Sequence, residues 1–298
     1  DWALRKLWYL FDKDSSLVND TAIITLVRIA TTDEAYGVRK TAKSLLNQIL
    51  DLSPDFAVLA LKTAKPVALT GRFEPRCEAL EIIGMIVGKY PRLADPALVE
   101  DLAQIATAPL SYSADFLSAP EQMRKNAHMR ERTAAMKILC LIVDKRADLA
   151  AGALTVAESI LFEYDVDQEL LAAALKTVGV IARQNPALIS RDLTDRVTQL
   201  AILTRARYGN GVDYSDEVRE EAQRTLDVIM DKRPQMIFIV RDTAEKLQKE
   251  DGIYGKALER AKTLAATAEE KHPVNKDPLI IKNNLRRDAA VFAKYTAG

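Results

Sequence analysis

Apolar residues recur along the chain at steps of three and four, which predicts a series of amphipathic α-helices. In residues 216–229, Val218, Ala222, Leu226 and Ile229 form one apolar stripe, and the opposite face is charged. Strong or weaker copies of this stripe are centred on Ala42, Ala79, Ala135, Ala174, Ala222 and Ala257. These alanines are spaced by 37, 56, 39, 48 and 35 residues. Such intervals are typical of an array of two-helix repeats with insertions.

Proline and glycine delimit the helices, because proline is tolerated at the start of a helix and disfavoured inside it. We therefore expect an all-α chain with little or no strand. Six helix pairs are predicted at 18–30 with 33–51, 55–68 with 76–90, 96–108 with 120–145, 148–164 with 167–184, 193–207 with 216–229, and 234 onward with a helix that ends near 270.

The two ends of the chain differ from this pattern. Residues 1–16 predict a short apolar helix that covers the first repeat, because an end repeat lacks a neighbour on one side. The two tryptophans, Trp2 and Trp8, leave a second interpretation open, in which this helix binds a partner. Residues 271–298 predict a linker and a C-terminal capping helix. The expected domain division is therefore 1–16, 17–270 and 271–298.

The pattern Val-Arg-x-x-Ala-x-x-x-Leu-x-x-Ile, with an Asp five residues ahead at Asp33 and Asp213, resembles the second helix of HEAT repeats. This resemblance to the HEAT and armadillo superfamily covers residues 17–270. It is strong at Arg39, Arg76, Arg132 and Arg219, and it lapses at Leu171 and Tyr254. It implies a right-handed α-α superhelix of about six repeats with terminal caps. In that family the arginine and aspartate form a ladder between repeats, so the four arginines are expected to be structural.

Charge and cysteine content set further bounds. Lys plus Arg equals Asp plus Glu at 42 each, so no overall field attracts nucleic acid or an anionic membrane. Cys77 and Cys140 occupy different positions in copies two repeats apart, which argues against a disulfide and predicts buried free thiols. Free thiols favour a reducing compartment, and we expect a cytoplasmic protein without a membrane span. Residue 1 is Asp rather than Met, which is consistent with a removed leader or upstream domain.

Catalytic motifs are absent from the sequence. The chain has two histidines, His128 and His272, and neither precedes a Glu, which argues against the paired His-Glu steps of one iron-binding type of HEAT-like enzyme. No glycine-rich phosphate loop, nucleophile elbow or metalloprotease signature occurs. These observations favour a non-catalytic protein without cofactor or metal. HEAT-like proteins are mostly binding scaffolds, although a few are enzymes, and fold alone does not choose between them.

Aromatic residues cluster at the turns that join the first and second helices of each pair. An edge lined with such amphipathic rings is typical of a protein-binding surface. For the inserted loops we expect such an edge at Tyr112, Phe116, Tyr208 and Tyr214. The alternative is that each ring fills the seam between adjacent turns, and we prefer this alternative for Tyr36, Tyr164 and Tyr254.

A second candidate surface is a groove lined by second helices. The positions outside the core stripe in the middle repeats are apolar, namely Leu80, Met85, Met136, Cys140, Leu175 and Val180. Such a groove would accept an amphipathic helix or an extended peptide. The alternative is that tight curvature buries these residues against neighbouring repeats.

A basic segment provides an alternative function. Arg124, Lys125, His128 and Arg130 lie close together in sequence, as in a nucleic-acid-binding protein or DNA-repair-type enzyme with a HEAT-like fold. Acidic residues on the neighbouring copies interrupt any continuous phosphate track, and a solvated helix face explains the same pattern. The sequence therefore favours a protein-binding scaffold whose partner is a protein or peptide.

Overall fold

The computed structural model describes residues 2–14, 17–109, 121–163, 166–202, 216–249 and 256–271. Within these ranges the chain forms thirteen α-helices and no β-strand. The all-α class predicted from the hydrophobic periodicity is therefore confirmed. Contacts divide the chain into two compact units, Asp1–Leu149 and Ala150–Gly298, which are described in turn.

The first unit contains seven helices. They are α1 Trp2–Lys13, α2 Asp20–Thr32, α3 Tyr36–Ile49, α4 Pro54–Thr70, α5 Phe73–Lys89, α6 Pro96–Thr107 and α7 Glu121–Lys145. Helices α2 and α3, α4 and α5, and α6 and α7 pack as consecutive pairs. Between pairs, α2 contacts α4 and α5 contacts α7, while α1 packs against α3.

The second unit contains six helices with the same pairing. They are α8 Ala150–Phe162, α9 Gln168–Gln184, α10 Arg191–Ile202, α11 Asp216–Lys232, α12 Ile237–Lys249 and α13 Lys256–Lys271. Each odd-numbered helix packs on the even-numbered helix before it. Between pairs, α9 packs extensively on α11, and α10 contacts both α8 and α12.

The alanine stripe explains this packing. Ala42, Ala79, Ala135, Ala174 and Ala222 are all completely buried, as are Leu46, Leu139 and Leu226 four residues further along their helices. A small residue at the centre of the stripe allows two helix backbones to approach closely, and the larger residues on either side fill the space around the contact.

Helix starts follow from capping side chains. The Asn19 side chain accepts a hydrogen bond from the backbone N–H of Ala22 at 2.9 Å, and that of Asp95 accepts one from Leu98 at 2.7 Å. These bonds satisfy N–H groups that have no partner within the helix. One proline departs from the sequence rule, because α4 continues through Pro66. The neighbouring Ala64 and Ala68 are buried, so packing holds the helix together where proline removes a backbone hydrogen bond.

The predicted helices agree with the observed ones to within a few residues. The predicted C-terminal cap lies outside the described residues, as does all of the predicted insertion after α6 beyond residue 109. The described helix at the N-terminus, α1, buries Leu4 and Phe11. It thus packs on the first pair, as the capping interpretation expects.

Two glycines provide a test of the helix packing. A Cβ at Gly179 in α9 would lie 3.2 Å from Oγ1 of Thr225 in α11, and that hydroxyl already donates to the Leu175 carbonyl at 3.0 Å. Gly179→Ala should therefore lower the free energy of unfolding by about 1 kcal/mol, because overpacking outweighs the gain in helix propensity. Chemical denaturation followed by circular dichroism measures the change.

Gly88→Ala is the matched control. Gly88 is exposed on α5, and its added Cβ would meet Leu141 at an ordinary 3.5 Å. This variant should stabilise the chain by about 0.5–1 kcal/mol through helix propensity alone. Equal stabilisation by both alanines would contradict the close packing of α9 on α11.

Candidate functional site

The predicted aromatic edge cannot be compared with the structure. Tyr112, Phe116, Tyr208 and Tyr214 all lie outside the described residues, and their role stays a prediction. Tyr36 is described, and the prediction that its ring fills a seam is wrong. Its side chain is 64% exposed, and the Arg39 guanidinium lies 5.8 Å from the ring centroid.

The groove residues are mostly part of the interior. Leu80 and Met136 in the first unit and Leu175 in the second are completely buried. Cys140 and Val180 are nearly so. Met85 on α5 is half-buried and keeps some accessible surface. A partner would reach the other five side chains only if helices separated. Their burial is what the alternative interpretation expects, in which neighbouring repeats cover these residues.

The basic segment at the start of α7 is divided among local contacts. The Nζ of Lys125 lies 2.7 Å from the carboxylate of Glu121, one turn earlier in the helix. The His128 ring nitrogen Nε2 lies 3.0 Å from the Ala108 carbonyl oxygen. Arg130 is exposed, and the side chain of Arg124 lies outside the described part. The described part of this segment therefore offers no continuous row of open cations.

A charged ladder links the second helices of the first unit. Nε of Arg39 in α3 lies 2.9 Å from Oε1 of Glu78 in α5, and Nη1 donates to the carbonyl oxygens of Asp33 at 2.8 Å and Glu34 at 3.1 Å. Arg39 thus ties together the turn that follows α2, its own helix and the next pair. Both side chains are largely buried, which makes their pairing necessary for stability.

The next rung repeats this arrangement. Nη2 of Arg76 in α5 lies 3.1 Å from Oε2 of Glu131 in α7, and its Nε donates to the Ala68 carbonyl near the end of α4 at 3.2 Å. Arg132 in α7 likewise donates to the Ala106 carbonyl near the end of α6 at 2.6 Å. Cations at these positions compensate the partial negative charge of a helix C-terminus.

The arginines therefore have the structural contacts expected from the resemblance, but the acceptor is different. In the first unit the ladder carboxylates belong to Glu78 and Glu131, whereas the Asp33 carboxylate accepts from the backbone N–H of Ala35 at 2.9 Å. Asp33 contributes its carbonyl to Arg39 instead. In the second unit, Arg219 pairs with Asp216 of its own helix.

The two rungs differ in their number of cations. Lys43 stands four residues after Arg39 and contacts both Glu78 and Glu81. Burial alone would lower the pKa of Lys43, but hydrogen bonds to these two carboxylates raise it. The equivalent residue after Arg76 is the buried Leu80. Among the described residues, Arg76 is thus the one cation in contact with Glu131.

Glu131 consequently occupies an unusual environment for a carboxyl group. Burial raises its pKa to about 7, against the opposing effect of the Arg76 charge. The half-buried thiol of Cys77 lies in the same environment. Burial, assisted by the Glu131 charge, raises the pKa of Cys77 to about 12. A thiol with this pKa remains protonated at neutral pH and is a poor nucleophile.

No group of three or more His, Cys, Asp and Glu side chains in the part of the chain that the structure describes could hold a metal ion. None of the helices in the described ranges is long and apolar enough to cross a membrane.

Helix α1 carries the most prominent exposed apolar surface of the described chain. Trp2 is 75% exposed, Tyr9 57%, Leu10 48% and Leu7 38%, whereas Leu4 and Phe11 on the other side are buried. Lys6 lies over the Trp2 ring at 5.4 Å from its centroid, and Lys13 over the Tyr9 ring at 5.7 Å. We refer to Trp2, Lys6, Leu7, Tyr9, Leu10 and Lys13 as the α1 surface.

The sequence contained a signal for this surface. Apolar residues form a wide stripe on α1 that extends well beyond the side of Leu4 and Phe11, and the rings of Trp2 and Tyr9 lie on its polar side. Among the described side chains of α1, Leu4 and Phe11 are the buried ones. The remaining apolar side chains thus require a second contact to leave water.

Comparison with known proteins leaves the fold class as described. No protein-family model matches the chain, and no curated protein matches it. It is similar to an engineered protein whose crystal structure was a target of the Northeast Structural Genomics Consortium, with 15% sequence identity, 85% of this chain and 98% of that chain covered, and a TM-score of 0.41. This likeness is too weak to carry an argument. The described structure defines an all-α protein of packed helix pairs.

The single-cation rung makes stability depend on pH. The pKa of Glu131 is raised from 4.5 to about 7 in the folded chain, so folding favours its neutral form. Its contribution to stability is fully present below pH 4.5 and is lost as the pH rises through 7. The Glu131→Gln variant has no carboxyl group to ionise at this position. Its free energy of unfolding relative to the parent should rise by about 1–3 kcal/mol between pH 5 and pH 8, as measured by urea titration at each pH.

Glu78→Gln provides the comparison for this experiment. Because Glu78 contacts both Arg39 and Lys43, its replacement leaves two partly buried cations without their shared carboxylate. We expect a loss of about 2–4 kcal/mol across the same pH range. A parallel pH dependence of the Glu131→Gln variant and the parent would contradict the assignment.

Proposed function

We propose that this chain is a HEAT-like array of helix pairs that acts as a non-catalytic, protein-binding scaffold. The observation that carries the proposal is the α1 surface, on which four large apolar side chains lie exposed on a single twelve-residue helix. Soluble monomers rarely expose several large apolar side chains on one surface. Where they do, the surface commonly binds another molecule. Tryptophan and tyrosine also dominate the residues that contribute most to binding energy.

The HEAT-like assignment is supported by the equivalent arginines. Arg39, Arg76 and Arg132 occupy the same place in α3, α5 and α7, and each donates to carbonyls at or just after the end of the preceding helix. A contact repeated in three successive pairs is expected of a repeat array, because each repeat contacts only its neighbours. The deviation in the ladder acceptor, Glu for Asp, leaves this relation intact.

A binding role fits the chemistry of the described residues better than catalysis. The buried cations of the ladder are paired with carboxylates or carbonyls, and the Cys77 thiol is held protonated. The protonated thiol is a poor nucleophile at neutral pH, and the paired cations have no lone pair with which to act as a base. The free thiols of Cys77 and Cys140 are compatible with the proposed cytoplasmic location.

The geometry of α1 favours efficient binding. Its inner side is fixed by Leu4 and Phe11, so the exposed side chains are presented on a helix that is already ordered. Trp and Tyr have only two side-chain torsions each, and a partner therefore immobilises little additional freedom. Most of the apolar area covered by a partner would then contribute to affinity.

The double variant Trp2→Ala with Tyr9→Ala tests the proposal. A partner captured by the immobilised parent chain should be lost or weakened at least tenfold, because Trp or Tyr residues at an interface centre each contribute about 2 kcal/mol. The melting temperature should remain within about 2 °C, since both rings are exposed. Capture is followed by titration of the purified partner in a calorimeter.

Tyr36→Ala is the matched control, because Tyr36 is an equally exposed tyrosine on another helix. It should leave the affinity unchanged. Loss of binding in both variants would indicate non-specific adhesion to aromatic rings. Unchanged affinity in the double α1 variant would refute the proposal for this surface.

The aromatic edge predicted from the sequence receives its own test. Replacement of Tyr112 and Phe116 with Ala should weaken the affinity for the same partner without lowering the melting temperature. Titration of this variant beside the α1 variant separates the two surfaces. An unchanged affinity would remove the edge from the interface.

A further inference from the structure

The exposed side of α1 has the register of a helix-pairing seam. Ala3, Leu7 and Leu10 follow one another at steps of four and three residues, and all three are exposed. These steps are those of the a and d positions of a heptad, with Leu7 at a and Ala3 and Leu10 at d. Leu4 and Phe11 fall outside this row and are buried, so packing on α3 leaves the row free.

Two lysines flank the row at equivalent places. Lys6 and Lys13 are seven residues apart, and in this register both occupy g positions. The g position is where charged side chains of paired helices meet and where partner choice is decided. Each lysine lies over an aromatic ring on the side away from the row, Lys6 over Trp2 and Lys13 over Tyr9, and is within one side-chain rotation of the row.

The charge of α1 argues against a second copy as the occupant. Residues 2–13 contain Arg5, Lys6 and Lys13 but only one acidic residue, Asp12. Two α1 helices packed antiparallel along their exposed rows would bring their g-position lysines together, and in a parallel pair these lysines would face Leu4 and Phe11, which are buried against α3. A helix with carboxylates beside its apolar stripe would instead be complementary.

The shape of the surface favours a helix over an extended segment or a membrane. A helix surface offers no backbone groups for strand pairing, whereas a docked helix satisfies its own backbone. The direction opposite Leu4 and Phe11, at about 100° per residue, is occupied by Trp2, Lys6, Tyr9 and Lys13. Insertion of this line into the hydrocarbon of a bilayer would bury two ammonium groups, and the aliphatic Leu7 and Leu10 lie on its flank.

We propose that α1 is the docking site for an acidic amphipathic helix of another protein. Its apolar stripe lies along Ala3, Leu7 and Leu10, and its carboxylates face Lys6 and Lys13. On docking, each lysine leaves its aromatic ring and pairs with a carboxylate at the edge of the row. This inference rests on the proposed function and specifies the class of partner that the α1 surface recognises.

The experiment uses two synthetic peptides of about three heptads, which is long enough to form a helix on docking. Both have Leu at a and d, and they carry either Glu or Lys at e and g. Fluorescence anisotropy with the full chain measures each dissociation constant. The Glu peptide should bind at least tenfold more tightly than the Lys peptide at 50 mM salt, and the difference should shrink at 500 mM salt.

Charge reversal on the protein provides the decisive variant. Lys6→Glu with Lys13→Glu should invert the preference between the two peptides, because both charges at the seam change sign. Lys62→Glu with Lys176→Glu, at two exposed lysines on α4 and α9, makes the same change in net charge and should leave the preference unchanged. Leu7→Ser with Leu10→Ser should abolish the binding of both peptides.

Several results would overturn the inference. One is equal affinity of the parent chain for the Glu and Lys peptides. Another is that Lys6→Glu with Lys13→Glu leaves the preference for the Glu peptide unchanged. A third is that the control pair, Lys62→Glu with Lys176→Glu, inverts this preference as well. Binding to phosphatidylserine vesicles that requires Lys6 and Lys13, with no peptide preference, would assign the surface to membranes. Concentration-dependent dimerisation lost on Trp2→Ala with Tyr9→Ala would assign it to a second copy.

Failure here remains distinct from failure of the proposed function. If the captured partner depends on Trp2 and Tyr9 but the peptides show no charge preference, the scaffold function stands and the acidic-helix class is refuted. If the peptides behave as expected while no captured partner depends on Trp2 and Tyr9, the helix recognition stands and the scaffold function is refuted.

Discussion

The structure depends on one packing constraint, the close contact of helices at a buried alanine. Ala42, Ala79, Ala135, Ala174 and Ala222 are all completely buried, and their small size sets the distance between paired helices. No helix can bury its stripe alone, so each packs on the other helix of its pair, and adjacent pairs within each unit pack on one another. The charged ladder follows from the same distance. When second helices lie this close, Arg39 reaches the Glu78 carboxylate and the turn after α2 at once.

The ladder also shows how a repeat position changes character when its neighbour changes. Glu78 has two cations because Lys43 stands one turn after Arg39, whereas Glu131 has Leu80 at the equivalent place. A leucine at this position leaves Arg76 as the described cation that pairs with Glu131. Burial raises the pKa of Glu131 against the effect of that one charge, and it makes the contact between α5 and α7 sensitive to pH.

The sequence predicted the helices well because a period of 3.6 residues is a local property of the chain. The resemblance predicted the structural arginines, but it implied aspartates, at Asp33 and Asp213, as the ladder acceptors, because offsets along one helix do not show which carboxylate the next pair presents. The sequence could not separate groove residues from core residues for a related reason. In α9 twelve of seventeen residues are buried, so its apolar surface exceeds a single stripe. Periodicity reveals that Leu175 is apolar, but not whether a neighbouring helix or a partner covers it.

The apolar residues of α1 also leave open whether a neighbouring helix or a partner covers them, but here the structure leaves several of them exposed. Its apolar residues are as suitable for a core as those of α9, yet packing on α3 covers only Leu4 and Phe11. Exposed apolar area is unfavourable in water by about 25 cal/mol per Å². The lysines over Trp2 and Tyr9 reduce this cost, because the ammonium group of each lies over the ring and is attracted to its face. A carboxylate that draws a lysine aside would uncover the ring beneath it, so charge recognition and apolar contact would occur in one step. This coupling favours an acidic partner over a purely apolar one, since an apolar partner must displace the lysines without compensation for their charge.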